Sequence, residues 1–235
     1  MVTMMFNFHT HIIDDVPCIL NLRLEDDFAI PAIQSDHVAY SVGLHPWDVS
    51  ADWHEKVEKV RAVAQSPHVW TIGECGLDKV RGEALSLQIE AFRAQIAISE
   101  EVKKPMVIHC VKAFDELLAL RKELMSQCQH EGKEPQTWVI HGFRGKPMQA
   151  KQLMAKELLL SFCHQYHIET LCSVFTAFRE SKSECAVNPF FLETDDHHVS
   201  VRQIYEQVAL HLGVAVSLLD SLCDPRLMLC RGMAF

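Results

Sequence analysis

Short apolar runs alternate with longer amphipathic stretches along almost the whole chain. The runs are Met4–His9, Pro17–Leu22, Val38–Leu44, Val69–Glu74, Met106–Cys110, Trp138–His141, Leu158–Cys163 and Pro189–Thr194. Each is apolar nearly throughout, without regular alternation, which predicts strands buried on both faces as in a parallel sheet. Between them the spacing turns helical. Ser50 is placed to cap a helix that carries Trp53, Val57, Val60 and Ala64 on one face. Leu85, Ile89, Phe92 and Ile96 repeat the pattern, as do Phe114, Leu117, Leu118 and Met125, then Val201, Ile204, Tyr205, Val208 and Leu212. Pro147 suits the first turn of a helix starting after Gly145. The segment EDDFAIPAIQSDH, after the second run, has no clear helical face. Eight buried strands alternating with helices predict a (β/α)8 TIM barrel, one domain over residues 1–235, with a doubly wound open sheet as the alternative.

Composition fits that picture. Of 235 residues, 49% are hydrophobic and 23% charged, as in a soluble globular protein. No run is long enough to span a membrane, and the apolar start is broken by Asn7 and His9 with no basic stretch ahead of it. It is therefore a poor signal peptide, and the expected location is cytoplasmic. The nine cysteines are an odd number without CxxC spacing. Cys18, Cys75, Cys110 and Cys163 sit in or just after apolar runs, which predicts reduced, buried thiols. A net charge of −9 argues against a broad electrostatic grip on nucleic acid and leaves room for a local basic rim.

The chemistry lies where the apolar runs stop. The first closes in His9-Thr10-His11, the fourth in TIGECGLD with Glu74, the fifth in VIHC with His109, the sixth in VIHGF with His141, and the eighth in FLETDD with Asp195. In a (β/α)8 barrel the C-terminal strand ends meet at one mouth. On a strand, positions i and i+2 face the same way, so His9 and His11 share a face with Asn7 while Phe6 and Phe8 point outward. Taken singly, HTH fits a surface or capping pair, ETDD a helix start, and VIHC a core strand with a polar close. Their coincidence at five strand ends selects a metal site. Four imidazoles and two carboxylates exceed one closed tetrahedral site and suit two ions with open positions. In the simplest partition Glu74 bridges, His9, His11 and Asp195 hold one ion, and His109 and His141 hold the other. A water bridging cations roughly 3.5–4 Å apart drops its pKa from about 15.7 toward about 7 and becomes a nucleophile. Asp195 would orient that hydroxide and accept its proton. The nitrogen-rich set favours zinc, and its carboxylates admit manganese or magnesium.

Taken together, HTH, VGLHP, IGECGLD, the helix with Gln88, Phe92 and Gln95, KPMVIHC, VIHGFRG and LETDD resemble the TatD family of metal-dependent hydrolases, among the amidohydrolase-like barrels. The resemblance implies a barrel with one or two divalent ions that hydrolyses phosphodiester bonds in nucleic acid, as a DNase or 3′-5′ exonuclease. It also implies His9, His11, Glu74, His109, His141 and Asp195 as metal ligands. The expected substrate is single-stranded DNA or another phosphodiester, with no membrane and no obligate protein partner. The sequence departs from the family pattern in places. Asn7 stands where the family has an acidic residue ahead of HxH. Cys110-Val111, with Lys112 next, replaces a Ser-Arg pair, and Arg144 replaces the Ser of HxFSG. After Asp195 a loop with proline and tyrosine is missing, and DHHVS leads straight into a helix. An amidohydrolase or lactonase using the same metals is the second expectation. A metal-loaded scaffold without turnover is the third, and the presence of all six ligand types argues against it.

Further residues carry two readings each. His45 either contacts a substrate oxygen or is a turn residue before Pro46. Arg144 and Lys112 either clamp a substrate phosphate or are solvated charges. Trp47 either stacks on a base or packs at the rim. Asp78 is expected to steady the loop after Glu74. His164 and His167 trail the seventh run, and His197 and His198 receive no role.

Overall fold

The computed structural model describes residues 5–13, 15–31, 37–180 and 190–226. Met4 and Pro189, at the ends of two expected strands, and residues 32–36 lie outside them. The strands are β1 (Asn7–Thr10), β2 (Cys18–Asn21), β3 (Val38–Val42), β4 (Val69–Asp78), β5 (Met106–Val111), β6 (Trp138–Ile140), β7 (Leu158–Phe162) and β8 (Phe190–Leu192). They follow one another in sequence order in an eight-stranded sheet, with parallel pairing. The helices are α1 (Trp53–Ala64), α2 (Leu85–Val102), α3 (Phe114–Glu131), α4 (Pro147–Met154), α5 (Ile168–Glu180), α6 (Val201–Leu212) and α7 (Val216–Leu222). This order is that of the (β/α)8 class, with one irregularity: within the described residues no helix separates β1 from β2 or β2 from β3. No helix among the described residues is long and apolar enough to cross a membrane.

Two compact units divide these elements, residues 21–34 with 39–140, and residues 1–20, 35–38 and 141–235. In the first, β3 to β6 are strands of buried apolar residues such as Val42, Ile72, Val107 and Val139. α1 buries Trp53, Val57, Val60 and Ala64, the face its spacing predicts. Its cap is displaced from expectation: Asp52 is the N-cap residue, while Ser50 donates its hydroxyl to Asp52. The buried face of α2 contains two glutamines that an apolar template passes over. Gln95 accepts from Leu44 N–H at 2.7 Å and donates to Leu44 O at 3.1 Å. Gln88 accepts from Asp78 N–H at 2.8 Å and donates to the Asp78, Arg81 and Glu83 carbonyls. These amides satisfy backbone groups at the end of β4 and in the loops after β3 and β4, so their burial costs little. On α3 the buried face is Leu117, Leu120, Arg121, Leu124 and Cys128, rotated from the expected one.

In the second unit β7 pairs with β8, and β8 returns to β1. Asp195 N–H donates to His9 O at 3.0 Å and His11 N–H to Asp195 O at 3.1 Å. Phe8 stacks on Phe191 with ring centroids 4.2 Å apart. The Tyr205 hydroxyl on α6 donates to Phe6 O at 3.0 Å, tying that helix to the start of β1. Pro147 opens α4 at its first position, as its fixed φ allows.

Candidate metal centre

Ligand-type side chains gather in each unit. In the second, His9 lies on β1 and is fully buried, His11 follows β1, and Asp195 follows β8. Asp195 Oδ1 is 3.8 Å from His9 Nε2 and 3.6 Å from His11 Nε2. The His9 ring meets His11 edge-on at 5.1 Å and is tilted against His141 at 4.7 Å. His9, His11 and Asp195 each offer a ligand atom within 4.8 Å of the others. Asp195 has φ 57°, a left-handed conformation that Asp tolerates better than most residues. Its two backbone bonds to β1 hold it there.

Behind His141 stands Glu193, fully buried. It accepts from Gly142 N–H at 2.5 Å and from the Ser161 hydroxyl at 2.5 Å, and its Oε1 lies 3.6 Å from His141 Nδ1. Residue-type reading of LETDD singled out Asp195 and missed this carboxylate. Its signal was a charge directly after a fully apolar strand, a position that demands buried partners.

In the first unit the cluster is His45, Glu74 and His109, again with ligand atoms within 4.8 Å of one another. Glu74 lies mid-way along β4 between Gly73 (φ 153°) and Gly76 (φ 141°). A Cβ on Gly73 would strike Val107 O, and one on Gly76 would strike His109 O, so IGECG lets β4 run against β5 beside both ligands. His45 Nδ1 accepts from Trp47 N–H at 3.2 Å, which leaves Nε2 as the protonated nitrogen, 3.2 Å from Glu74 Oε1. His45 is thereby a donor to Glu74, a closer role than the rim contact or turn residue that its sequence suggests.

His109 has a carboxylate oxygen at each ring nitrogen: Glu74 Oε1 is 3.0 Å from Nδ1 and Asp78 Oδ2 is 3.3 Å from Nε2. A neutral imidazole carries one N–H and can donate to only one of them. A cation between the other nitrogen and its carboxylate resolves the remaining lone-pair conflict, so this donor set fits a metal ion. Asp78 is also bonded by Trp47 Nε1–H at 2.7 Å and by the Val80 and Arg81 N–H groups. Burial would push its carboxyl up, but the hydrogen bonds from Trp47, Val80, His109 and Arg81 outweigh that and hold it below the usual range. The loop role expected for Asp78 is present, joined to an orienting role on His109.

The remaining sequence candidates lie further out. Arg144 is exposed, with its guanidinium 3.9 Å from Cys163 Sγ. Lys112 is exposed, with φ 54°. Neither contacts a candidate ligand among the described residues. Cys110, beside His109, is pushed up to about 12 by burial and is no nucleophile. His164 packs edge-on against His197 at 4.4 Å, and burial, then His197 and Arg144, lower its pKa.

Comparison with known proteins adds the context. A family model described as TatD related DNase matches residues 22–210. The 3'-5' ssDNA/RNA exonuclease TatD of Enterobacter lignolyticus is 40% identical over 81 residues, 34% of this chain and 31% of that protein. Its counterpart in Cronobacter sakazakii is 34% identical over 121 residues, 51% and 43% of the two chains. The uncharacterized metal-dependent hydrolase YabD of Bacillus subtilis is 30% identical over 128 residues, 54% and 48%. The chain thus spans less than half the length of these relatives. Among solved structures, YJJV, a TatD homolog from Escherichia coli, superposes with a TM-score of 0.70 at 14% identity, covering 97% of this chain and 98% of its own. A TatD family hydrolase from Entamoeba histolytica gives 0.71 at 15% identity, covering 99% and 98%.

Proposed function

The chain belongs to the TatD-related DNase family, and from that premise we propose that it is a divalent-metal-dependent phosphodiesterase acting on single-stranded nucleic acid. The observation that supports this reading best is the placement of its ligands. His9, His109 and Glu74 lie on β1, β5 and β4, while His11, His141 and Asp195 follow β1, β6 and β8 at their C-terminal ends. Those ends form the active face of this fold class. His9, His11, His141 and Asp195 would serve as ligands in one unit and Glu74 and His109 in the other, for one or two divalent ions. When bound, the ions supply Lewis acidity and an activated water.

The chain's own residues do the rest. His45 Nε2–H fixes the Glu74 carboxylate, and Asp78 and Glu193 back His109 and His141, so the ligands keep their orientation without reorganisation. Asp195 is the group that takes the proton from the attacking water, since it is a carboxylate whose backbone is pinned to β1 while its side chain stays partly exposed. Arg144, three residues past His141, and Lys112, three past His109, would neutralise substrate phosphates at the rim. Zinc, manganese and magnesium are all compatible with this ligand set.

The test uses purified protein stripped with chelator and reloaded with each metal in turn. Cleavage of bis-p-nitrophenyl phosphate and of a labelled single-stranded oligonucleotide is the expected result. Turnover of esters or amides only, with both phosphodiesters intact, would overturn the proposal in favour of an amidohydrolase or lactonase.

A further inference from the structure

The loop after β4 carries one cation whose placement the metal centre does not explain. The Arg81 guanidinium carbon sits 3.7 Å from the centroid of the Trp47 ring. Arg81 is exposed, and a carboxylate its charge acts on is Asp48, next to Trp47, whose ionised form it favours without a close ion pair. Trp47 is 41% exposed, yet its ring is held from several sides. Its Nε1–H donates to Asp78 Oδ2 at 2.7 Å, and it meets His45 and His109 edge-on at 4.6 and 5.6 Å. One indole ring therefore separates the guanidinium from a candidate metal ligand.

The loop itself is pinned. Asp78 Oδ1 accepts from Val80 N–H at 2.7 Å and Arg81 N–H at 3.1 Å. Gln88 Nε2 donates to Arg81 O at 3.3 Å and Glu83 O at 2.8 Å. Gly82, at φ 92°, lets the loop approach Pro46 O at a point where a Cβ would collide. One buried carboxylate thus fixes the Arg81 backbone, the Trp47 ring and His109 together. Stacking uses only the face of the guanidinium and leaves its N–H edge to bind a planar array of acceptors. In a chain of net charge −9, a fixed cation beside the metal cluster is aimed at an anion.

We propose that Arg81, held flat by Trp47 as a positioning residue, binds the substrate phosphate next to the scissile one on a single-stranded nucleic acid. This rests on the phosphodiesterase reading above. The metal-loaded protein is tested with a labelled oligonucleotide and with versions that carry one uncharged methylphosphonate linkage, stepped away from the scissile bond. In the native protein one position raises KM about tenfold, as loss of a charge-assisted contact would. Arg81→Ala raises KM for the fully charged oligonucleotide about tenfold and becomes indifferent to that linkage. It also lowers the slope of log KM against log salt by about 0.7, one phosphate on a single strand. Trp47→Leu reproduces the KM increase, and Trp47→Phe, which keeps a ring under the guanidinium, restores it.

An Arg81→Ala protein with native KM and salt slope, or one that keeps the methylphosphonate penalty, overturns the proposal. So does a Trp47→Leu protein that loses kcat and not KM, since that marks a structural role through Asp78 and His109. Bis-p-nitrophenyl phosphate, with its single phosphate, separates the two levels. If native protein turns over neither substrate, the phosphodiesterase reading fails and this one with it. If native protein cleaves both and Arg81→Ala matches it on the oligonucleotide, only the Arg81 assignment fails.

Discussion

Glu193 offers the sharpest way to separate holding the fold from holding His141, a candidate metal ligand. It is wholly buried and accepts from Gly142 N–H and the Ser161 hydroxyl, with His141 Nδ1 3.6 Å away. That last distance is too long for a hydrogen bond, so what reaches His141 is the field of the charge. Glu193→Ala strands two donors that had a charged acceptor, the buried Ser161 hydroxyl and the part-buried Gly142 N–H. At roughly 1.5–3 kcal/mol each the loss is about 3–6 kcal/mol, a large part of a typical 5–15 kcal/mol stability. Glu193→Gln keeps an oxygen for Gly142, and its amide donates to Ser161 Oγ once that hydroxyl rotates, so metal-free stability falls by less than about 1.5 kcal/mol. The charge behind His141 is gone in both variants. Groups supporting a metal-ligating histidine are typically worth 10–100-fold in affinity, or about 1.4–2.7 kcal/mol. Urea denaturation of metal-free protein and competition against a chromophoric chelator measure the two quantities. Native metal affinity in Glu193→Gln would refute the assignment, as would metal-free destabilisation equal to that of Glu193→Ala.

Asp195→Asn should lower bis-p-nitrophenyl phosphate turnover at least 100-fold with metal still bound, within the range general-base removal costs. Activity near native, at native metal content, would remove Asp195 from the proton-accepting role. A pH effect follows from Cys223, whose thiol is buried and pushed well above its ordinary value of 9.0. Below pH 9 folded and unfolded chains both hold the proton and the thiol gives no pH slope. Above it the unfolded chain releases the proton while the folded one keeps it, so stability falls as pH rises, by about 1.4 kcal/mol per unit for each such thiol. Cys223→Ala should therefore cost about 1 kcal/mol at pH 7 and make the decline above pH 9 shallower by one proton's worth in urea titrations. An unchanged alkaline slope would contradict the burial of this thiol.

The elements most legible in the sequence were those governed by burial of apolar area. β3 to β6 read as strands because Val, Ile and Met fill both faces, and α1 because Trp53, Val57, Val60 and Ala64 recur at helical spacing. Less legible were positions where a polar group is buried to serve backbone. Gln88 and Gln95 break the apolar stripe of α2, yet they complete the hydrogen bonding of the loops after β4 and β3. Glu193 stayed hidden for the same reason, because its partners, Ser161 and Gly142, are 32 and 51 residues away in sequence. Residue type and strand position marked the candidate metal ligands. The groups that hold those residues in place answer to tertiary contacts, which no local period encodes.

Asn7 shows how far that distinction reaches. The family resemblance implies an acid at this position, so asparagine reads in the sequence as a lost charge beside His9 and His11. In the structure its amide is committed elsewhere. Asn7 Oδ1 accepts from Thr194 N–H at 3.0 Å, and Nδ2 donates to Thr194 Oγ1 at 2.8 Å. The Thr194 hydroxyl then donates to Thr10 Oγ1 at 3.1 Å, and the Thr10 hydroxyl to Ile12 O at 2.8 Å. This chain has a direction, set by a donor at its head. A carboxylate at position 7 has no donor to offer. It would draw the Thr194 hydroxyl toward itself and leave Thr10 Oγ1 with only the bond from Ile12 N–H at 3.1 Å. The chain runs along the seam where β8 meets β1, the same seam that places Asp195 beside His9 and His11. Asn7 therefore acts on the candidate metal centre through register: it fixes where Asp195 stands relative to the two histidines, a task for which an amide, with both a donor and an acceptor, is better suited than an acid.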